Sequence, residues 1–170
     1  MDANFPMGDA SPAQFLAVYR GEHDKTRNVL RALPPDRSDF KPHERSNDAL
    51  HLAWTFPVEE KLMLMALRGE PILGSGFPKA PATWQEVLDA FDAQHEEVVR
   101  ELEALGDVAP STTATFFTAP GQTGEFPVVH FLWFLLFDQI HHRGQLSTYV
   151  RMAGGKVPSI YGPSADEPWF

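Results

Sequence analysis

Four times along this chain, apolar residues recur at spacings of three and four, and each time a proline or glycine closes the series. Residues three and four apart share one face of an α-helix, and a helix with one apolar face must bury it against another element. The first series follows Ser11-Pro12, an N-cap with a first-turn proline. It runs through Leu16, Tyr19, His23, Thr26, Leu30 and Leu33 to Pro34-Pro35. The second opens after Ser46 or Asn47, carries His51, Thr55, Val58, Leu62 and Met65, and stops near Gly69. The third opens at Thr83, with Glu86 completing a capping box; Trp84, Leu88, Phe91, His95, Val98, Leu102 and Leu105 follow, before Gly106. The fourth begins near Pro127 and carries Val128, Phe131, Leu135, Asp138, His142, Gln145, Tyr149 and Met152, ahead of Gly154-Gly155.

Four long helices and no convincing strand predict an all-α protein, a four-helix bundle formed by residues 1–170 as a single domain. Residues 34–45 and 70–82 read as long loops, and 107–125, with "STTATFFTAP", has room for a short extended segment. The irregular C-terminal tail "VPSIYGPSADEPWF" is expected to pack on the bundle through Ile160, Tyr161, Trp169 and Phe170. Pro57 deletes a backbone N–H in the second helix and opposes the Ala53 carbonyl, which predicts a kink beyond Thr55. Such a bend serves either packing or an opening at the bundle mouth. Gly144, in mid-helix at a cost of about 1 kcal/mol relative to alanine, is expected to mark a close approach by a neighbouring element.

The formal net charge is −9 and no cysteine is present. An acidic surface without a Lys/Arg cluster disfavours phosphate contacts, so no direct nucleic-acid partner is expected. The absence of cysteine excludes disulfides, thiolate metal sites and a cysteine nucleophile. The N-terminus has no basic segment leading into an apolar one. The apolar run Phe126–Phe137 is too short for a bilayer and contains Pro127 and His130. The expectation is a cytoplasmic protein with no membrane association.

The helical stripes carry polar, ligand-capable groups where apolar ones would serve packing: His23; His51 and Thr55; His95; and Asp138, His142 and Gln145. Asp138 and His142 are four apart, so their side chains stack about one turn from each other. A carboxylate–imidazole pair of this kind chelates a divalent cation when a neighbouring helix adds a third donor, and zinc, nickel, iron or manganese suits such ligands. The same pair also fits a buried ion pair, and His23 and His95 fit hydrogen-bonded core residues. His141 projects about a hundred degrees from His142, toward another helix or a subunit partner. Glu59 and Glu60 fit solvated helix surface, although Glu59 lies one turn from Thr55 and counts with His23 and His95 among inward polar candidates.

The segments "HHRGQLSTYVRMAGGKVPSIYGPSADE" and "RSNDALHLAWTFPVEEKLM" resemble motifs of the DinB/YfiT-like superfamily of damage-inducible proteins. The resemblance implies a four-helix bundle, commonly a homodimer, with a metal held by one histidine of the second helix and an H-x-x-x-H pair of the fourth. It also implies thiol-dependent transferase or isomerase chemistry, using a low-molecular-weight thiol such as mycothiol, bacillithiol or glutathione. Carried onto this chain, the fourth-helix pair falls on Asp138 and His142 and the second-helix position on Thr55, a poor ligand. His51, one turn earlier, is the candidate substitute. The expectation is therefore a degenerate metal site with weak or absent metal, in a metal-dependent hydrolase or thiol S-transferase-type protein. Arg143 or His141 would orient an anionic substrate and Gln145 would support the centre. The alternatives are a metal-free small-ligand binding dimer and a stress-response partner protein without catalytic activity.

Overall fold

The computed structural model describes residues 11–74 and 76–170. Its helices are α1 (Pro12–Ala32), α2 (Ala49–Ala53), α3 (Thr55–Leu67), α4 (Trp84–Leu105) and α5 (Val128–Met152), with a 3-10 turn at Pro35–Arg37. Local chemistry fixes the starts of α1, α2 and α4. Ser11 Oγ accepts from Gln14 N, Asp48 Oδ1 from His51 N, and Thr83 and Glu86 close a reciprocal capping box. The second periodic segment is two helices rather than one. Pro57 leaves the Ala53 carbonyl without its usual donor, and the helix breaks at Trp54, one turn before the proline.

The long helices form a ring in which α1 and α3 each pack on both α4 and α5. Two apolar clusters fill the ends of the bundle. One gathers Phe15, Met63, Leu102, Phe131 and Leu132; the other gathers Leu30, Phe56, Phe91, Leu146 and Val150. A polar belt lies between them along the helices, with Glu22, His23 and Thr26 on α1, Glu59 and Glu60 on α3, and Gln139 and Arg143 on α5, all buried.

The chain is not strictly all-α. β1 (Thr113–Ala119) and β2 (Gln122–Pro127) pair antiparallel, with Phe116 opposite Gly124 and Thr113 opposite Pro127. Alternation explains the strand: Ala114 is buried and Phe116 packs toward the core, while Phe117 points out to solvent. Gly121, at φ +70°, makes the reversal. The Phe116 ring lies 5.2 Å from Phe131, which fastens the hairpin to α5.

Three packing expectations are corrected. The buried stripe of α5 after Leu135 is Leu136, Gln139, Arg143, Leu146 and Val150, one position later than the series ending Gln145, Tyr149 and Met152. Both series have helical spacing, and the later one keeps more large apolar residues in the core. In the tail, Ile160 packs against the bundle, but Trp169 and Phe170 are exposed. A Cβ on Gly144 would meet nothing within 4 Å. The close approach belongs to Gly155, where a Cβ would stand 2.5 Å from the Ala32 carbonyl and 2.8 Å from Val150 Cγ1. Gly155→Ala is therefore expected to cost about 1–3 kcal/mol as an overpacking change, against little cost or a slight gain for Gly144→Ala. Urea unfolding of both variants checks the ordering.

Candidate metal centre and its pocket

Glu59 lies one helical turn after Thr55 on α3 and is 5% exposed. It meets α5 at His142, whose Nδ1 is 3.1 Å from Glu59 Oε1 and 4.0 Å from Asp138 Oδ1. One donor atom from each of Glu59, Asp138 and His142 falls within 4.8 Å of the others. Burial and the neighbouring Asp138 charge push the Glu59 carboxyl well above the usual carboxylate range. Burial likewise lowers His142, against the pull of Asp138, so its imidazole is neutral at neutral pH. Glu59 Oε2 is buried with no hydrogen-bond donor. Such an orphan costs free energy that a bound cation would recover.

The three groups border a cavity of about 330 Å³ whose apolar walls include Val58, Leu62, Phe116, Phe134 and Leu135. Thr55 and His51 also line it, without joining the donor group. Thr55 Oγ1 donates to Leu52 O at 2.7 Å. His51 is exposed, with its Nδ1 2.7 Å from Asp48 Oδ1 at the helix start. Glu59, not His51, is thus the third carboxylate or imidazole group beside the α5 pair.

The remaining sequence candidates lie elsewhere. Arg143 is 1% exposed and turns away from the pocket. Its Nη1 donates to Glu22 O and Thr26 Oγ1, and its Nη2 reaches Glu22 Oε2 at 2.7 Å and Tyr161 Oη at 2.5 Å. Tyr161 in turn donates to Glu22 Oε2. Arg143 therefore clamps α1, α5 and the tail, and orients no substrate in the pocket. His141 and Gln145 are exposed and bonded to one another, Nε2 to Nε2 at 2.9 Å. Gln145 supports nothing at the centre because its position faces outward, where the core stripe has moved to Leu146.

A second cluster occupies the centre of the bundle. Glu60 is fully buried and accepts from Tyr19 Oη and from Gln139 Nε2 at 3.3 Å. His23 and His95 stack beside it with ring centroids 3.6 Å apart and planes 18° apart. Burial lowers His23 to about 4 and His95 to about 3, and raises Glu60 to about 8. One donor atom each of His23, Glu60 and His95 also lies within 4.8 Å of the others. A metal bound to an imidazole nitrogen lies near that ring's plane, and two nearly parallel stacked rings cannot both meet this condition at one ion. The cluster is a neutral hydrogen-bonding and stacking core. Glu60 was not solvated surface, nor was Glu59. Their sequence signal is an acidic pair flanked on both sides by the apolar run of "TFPVEEKLMLMAL".

Known proteins place this architecture. A crystal structure of a DinB-like protein from Bacillus cereus ATCC 10987 matches with a TM-score of 0.71 at 22% identity, covering 86% of this chain and 95% of that one. The DinB-like protein YjoA from Bacillus subtilis matches with a TM-score of 0.66 at 18% identity, covering 86% and 97%. At such identities the likeness is one of fold. An uncharacterized Bacillus subtilis protein, YrdA, is 46% identical over 43 residues, which is 25% of this chain and 26% of that protein's length. Among the described residues, no helix is long and apolar enough to cross a membrane. The DinB family model matches residues 7–169, nearly the whole chain, and the chain belongs to the DinB family.

Proposed function

We propose that this protein is a metal-dependent enzyme of hydrolase or thiol-transfer type, with Glu59, Asp138 and His142 holding one divalent cation at the edge of the apolar pocket. The observation that carries this is the orphaned Glu59 Oε2 beside two further donors. Ligands about 2.1 Å from an ion stand roughly 3.0–3.4 Å apart in octahedral or tetrahedral geometry. The 3.1 Å separation of His142 and Glu59 lies in that range, and half-exposed Asp138, at 4.0 Å, needs a small side-chain rotation. Glu59 supplies the anionic donor that Thr55 does not, which offsets the weakness expected from the threonine. One imidazole and two carboxylates suit zinc, iron(II) or manganese.

A cation held here supplies Lewis acidity to a water or thiol. The residues do the rest. His142 is neutral before binding, Glu59 gives up its proton on binding, and Phe116, Phe134 and Leu62 exclude bulk water from the reacting groups. Metal analysis and titration of the purified protein test the reading. About one equivalent is expected, with Glu59→Gln and His142→Ala each weakening affinity at least tenfold. Unchanged metal content in Glu59→Gln, or no binding by the parent protein, would instead favour the metal-free ligand-binding alternative.

A further inference from the structure

The two acidic neighbours on α3 face different parts of the molecule. Glu59 joins the donor set beside the pocket, and Glu60, about a hundred degrees further round the helix, faces the bundle centre. α5 repeats the pattern: Asp138 stands with the donors, and the next residue, Gln139, is buried. The two inward residues meet. Gln139 Nε2 donates to Glu60 Oε1 at 3.3 Å, and Tyr19 on α1 donates to Glu60 Oε2. Both Glu60 oxygens are thus held, one from α5 and one from α1, at exposures of 0% for Glu60 and 2% for Gln139. Replacing both members of a buried hydrogen bond by apolar groups of the same shape is nearly neutral for stability. Stability alone therefore does not call for a carboxyl and an amide here. Nearby, α3 and α5 contribute Met63 and Leu135 to one apolar cluster. Apolar burial is non-directional, so it opposes separation of the helices more than sliding or turning of one on the other. A hydrogen bond is directional and fixes both. A slip of one residue would carry Glu59 about 1.5 Å along the axis and turn it about a hundred degrees, away from His142 Nδ1, which it meets at 3.1 Å.

We propose that Glu60 and Gln139 are positioning residues for the candidate metal centre, their bond locking the α3–α5 register that sets Glu59 against Asp138 and His142. The purpose of that register rests on the function proposed above; the positioning itself needs no bound ion. Each residue acts through the backbone of its neighbour, since neither belongs to the donor group of Glu59, Asp138 and His142.

Zinc titration of purified variants tests this. Gln139→Leu, close in volume, leaves Glu60 Oε1 without its donor and is expected to bind zinc at least fivefold more weakly. Glu60→Gln still bonds to Gln139 and is expected to stay within twofold of the parent. Val29→Ala, in the other apolar cluster, softens the fold without touching the register and is also expected to stay within twofold. Where Gln139→Leu does not fold, Gln139→Asn, its amide one carbon short of Glu60, carries the same expectation. A second measurement needs no metal: a double-mutant cycle of Glu59→Gln and His142→Ala, read by urea unfolding of chelator-treated protein. A coupling of about fivefold in the unfolding constant is expected in the parent background and under twofold in the Gln139→Leu background. Zinc bound by Gln139→Leu as tightly as by the parent overturns the proposal. An equal loss in Val29→Ala, or a coupling that Gln139→Leu leaves unchanged, overturns it too. Failure of the metal reading has a different signature: the parent binds no zinc, while the coupling still falls in Gln139→Leu.

Discussion

Arg143→Ala is expected to lower the melting temperature by about 6–20 °C. The guanidinium is the largest fully buried side chain among the described residues, and its partners come from three parts of the fold: Glu22 and Thr26 on α1, and Tyr161 in the tail. Removing one member of a buried ion pair leaves the other charge stranded, at about 3–5 kcal/mol. In a chain of this size each kcal/mol shifts the midpoint by about 2–4 °C. Burial alone would raise the Glu22 carboxyl, but hydrogen bonds from Tyr161, Arg143 and Lys25 outweigh it and hold the group below its ordinary value. The double variant Arg143→Ala/Glu22→Gln should therefore recover part of the loss, because it no longer buries an unpaired carboxylate. Thermal unfolding followed by circular dichroism decides the matter. A shift of under 2 °C for Arg143→Ala would mean that the clamp contributes nothing to stability.

In metal-depleted protein, stability is expected to be highest near pH 6.5 and to fall by about 2 kcal/mol or more toward pH 8 and on acidification below pH 4.5. The slope per group is about 1.4 kcal/mol per pH unit wherever folded and unfolded states differ by one proton. Glu60 titrates near 8 in the fold against 4.5 in the unfolded chain, so the folded state carries the extra proton and stability falls as pH rises through that interval. Glu59 acts in the same direction. His23, near 4, and His95, near 3, are neutral in the fold, and the unfolded chain gains protons first as pH drops below 6.5. Their stabilisation is lost on acidification. Between 4.5 and 6.5 the two carboxyls oppose His23 and His95, and His142, also lowered by burial, tips the balance toward a loss of stability on acidification. Above 6.5 only the carboxyls remain, and below 4.5 only the imidazoles, joined by Glu22, whose depressed value also loses stability toward acid. Glu60→Gln keeps an acceptor for Tyr19 and removes one titrating group, so it should remove about half of the alkaline decline. Urea unfolding at pH 6.5 and 8 checks it, and an undiminished decline in that variant rules out Glu60 as the source.

The four helical segments, the caps of the first and third, and the bundle were legible from residues close in sequence. Ser11 with Gln14, Thr83 with Glu86, and Pro57 against Ala53 are local pairs, and helical spacing can be read without tertiary information. The same is true of Asp138 and His142, four apart on one helix. The extended segment in 107–125 was visible only as a possibility, because a two-stranded hairpin depends on what covers its face, here Phe131 and Phe134. The error on α5 came from two stripes one residue apart, both with helical periodicity. Read from the sequence, Asp138 and Gln145 are seam residues and Arg143 a substrate-orienting one, whereas Glu60, Glu22 and Tyr161 provide partners that bury Gln139 and Arg143 instead.

What the sequence alone determined is therefore the four helical segments, the family and two of the three donors, since each rests on spacing within a single segment. Only the tertiary structure decided that Glu59 joins Asp138 and His142, that His51 stays outside with Asp48, and that Arg143 holds the tail instead of a substrate. The physical reason is that a polar side chain is buried only where another element supplies its partner. For Glu59 and His142 that partner is 83 residues away, beyond the reach of any local pattern.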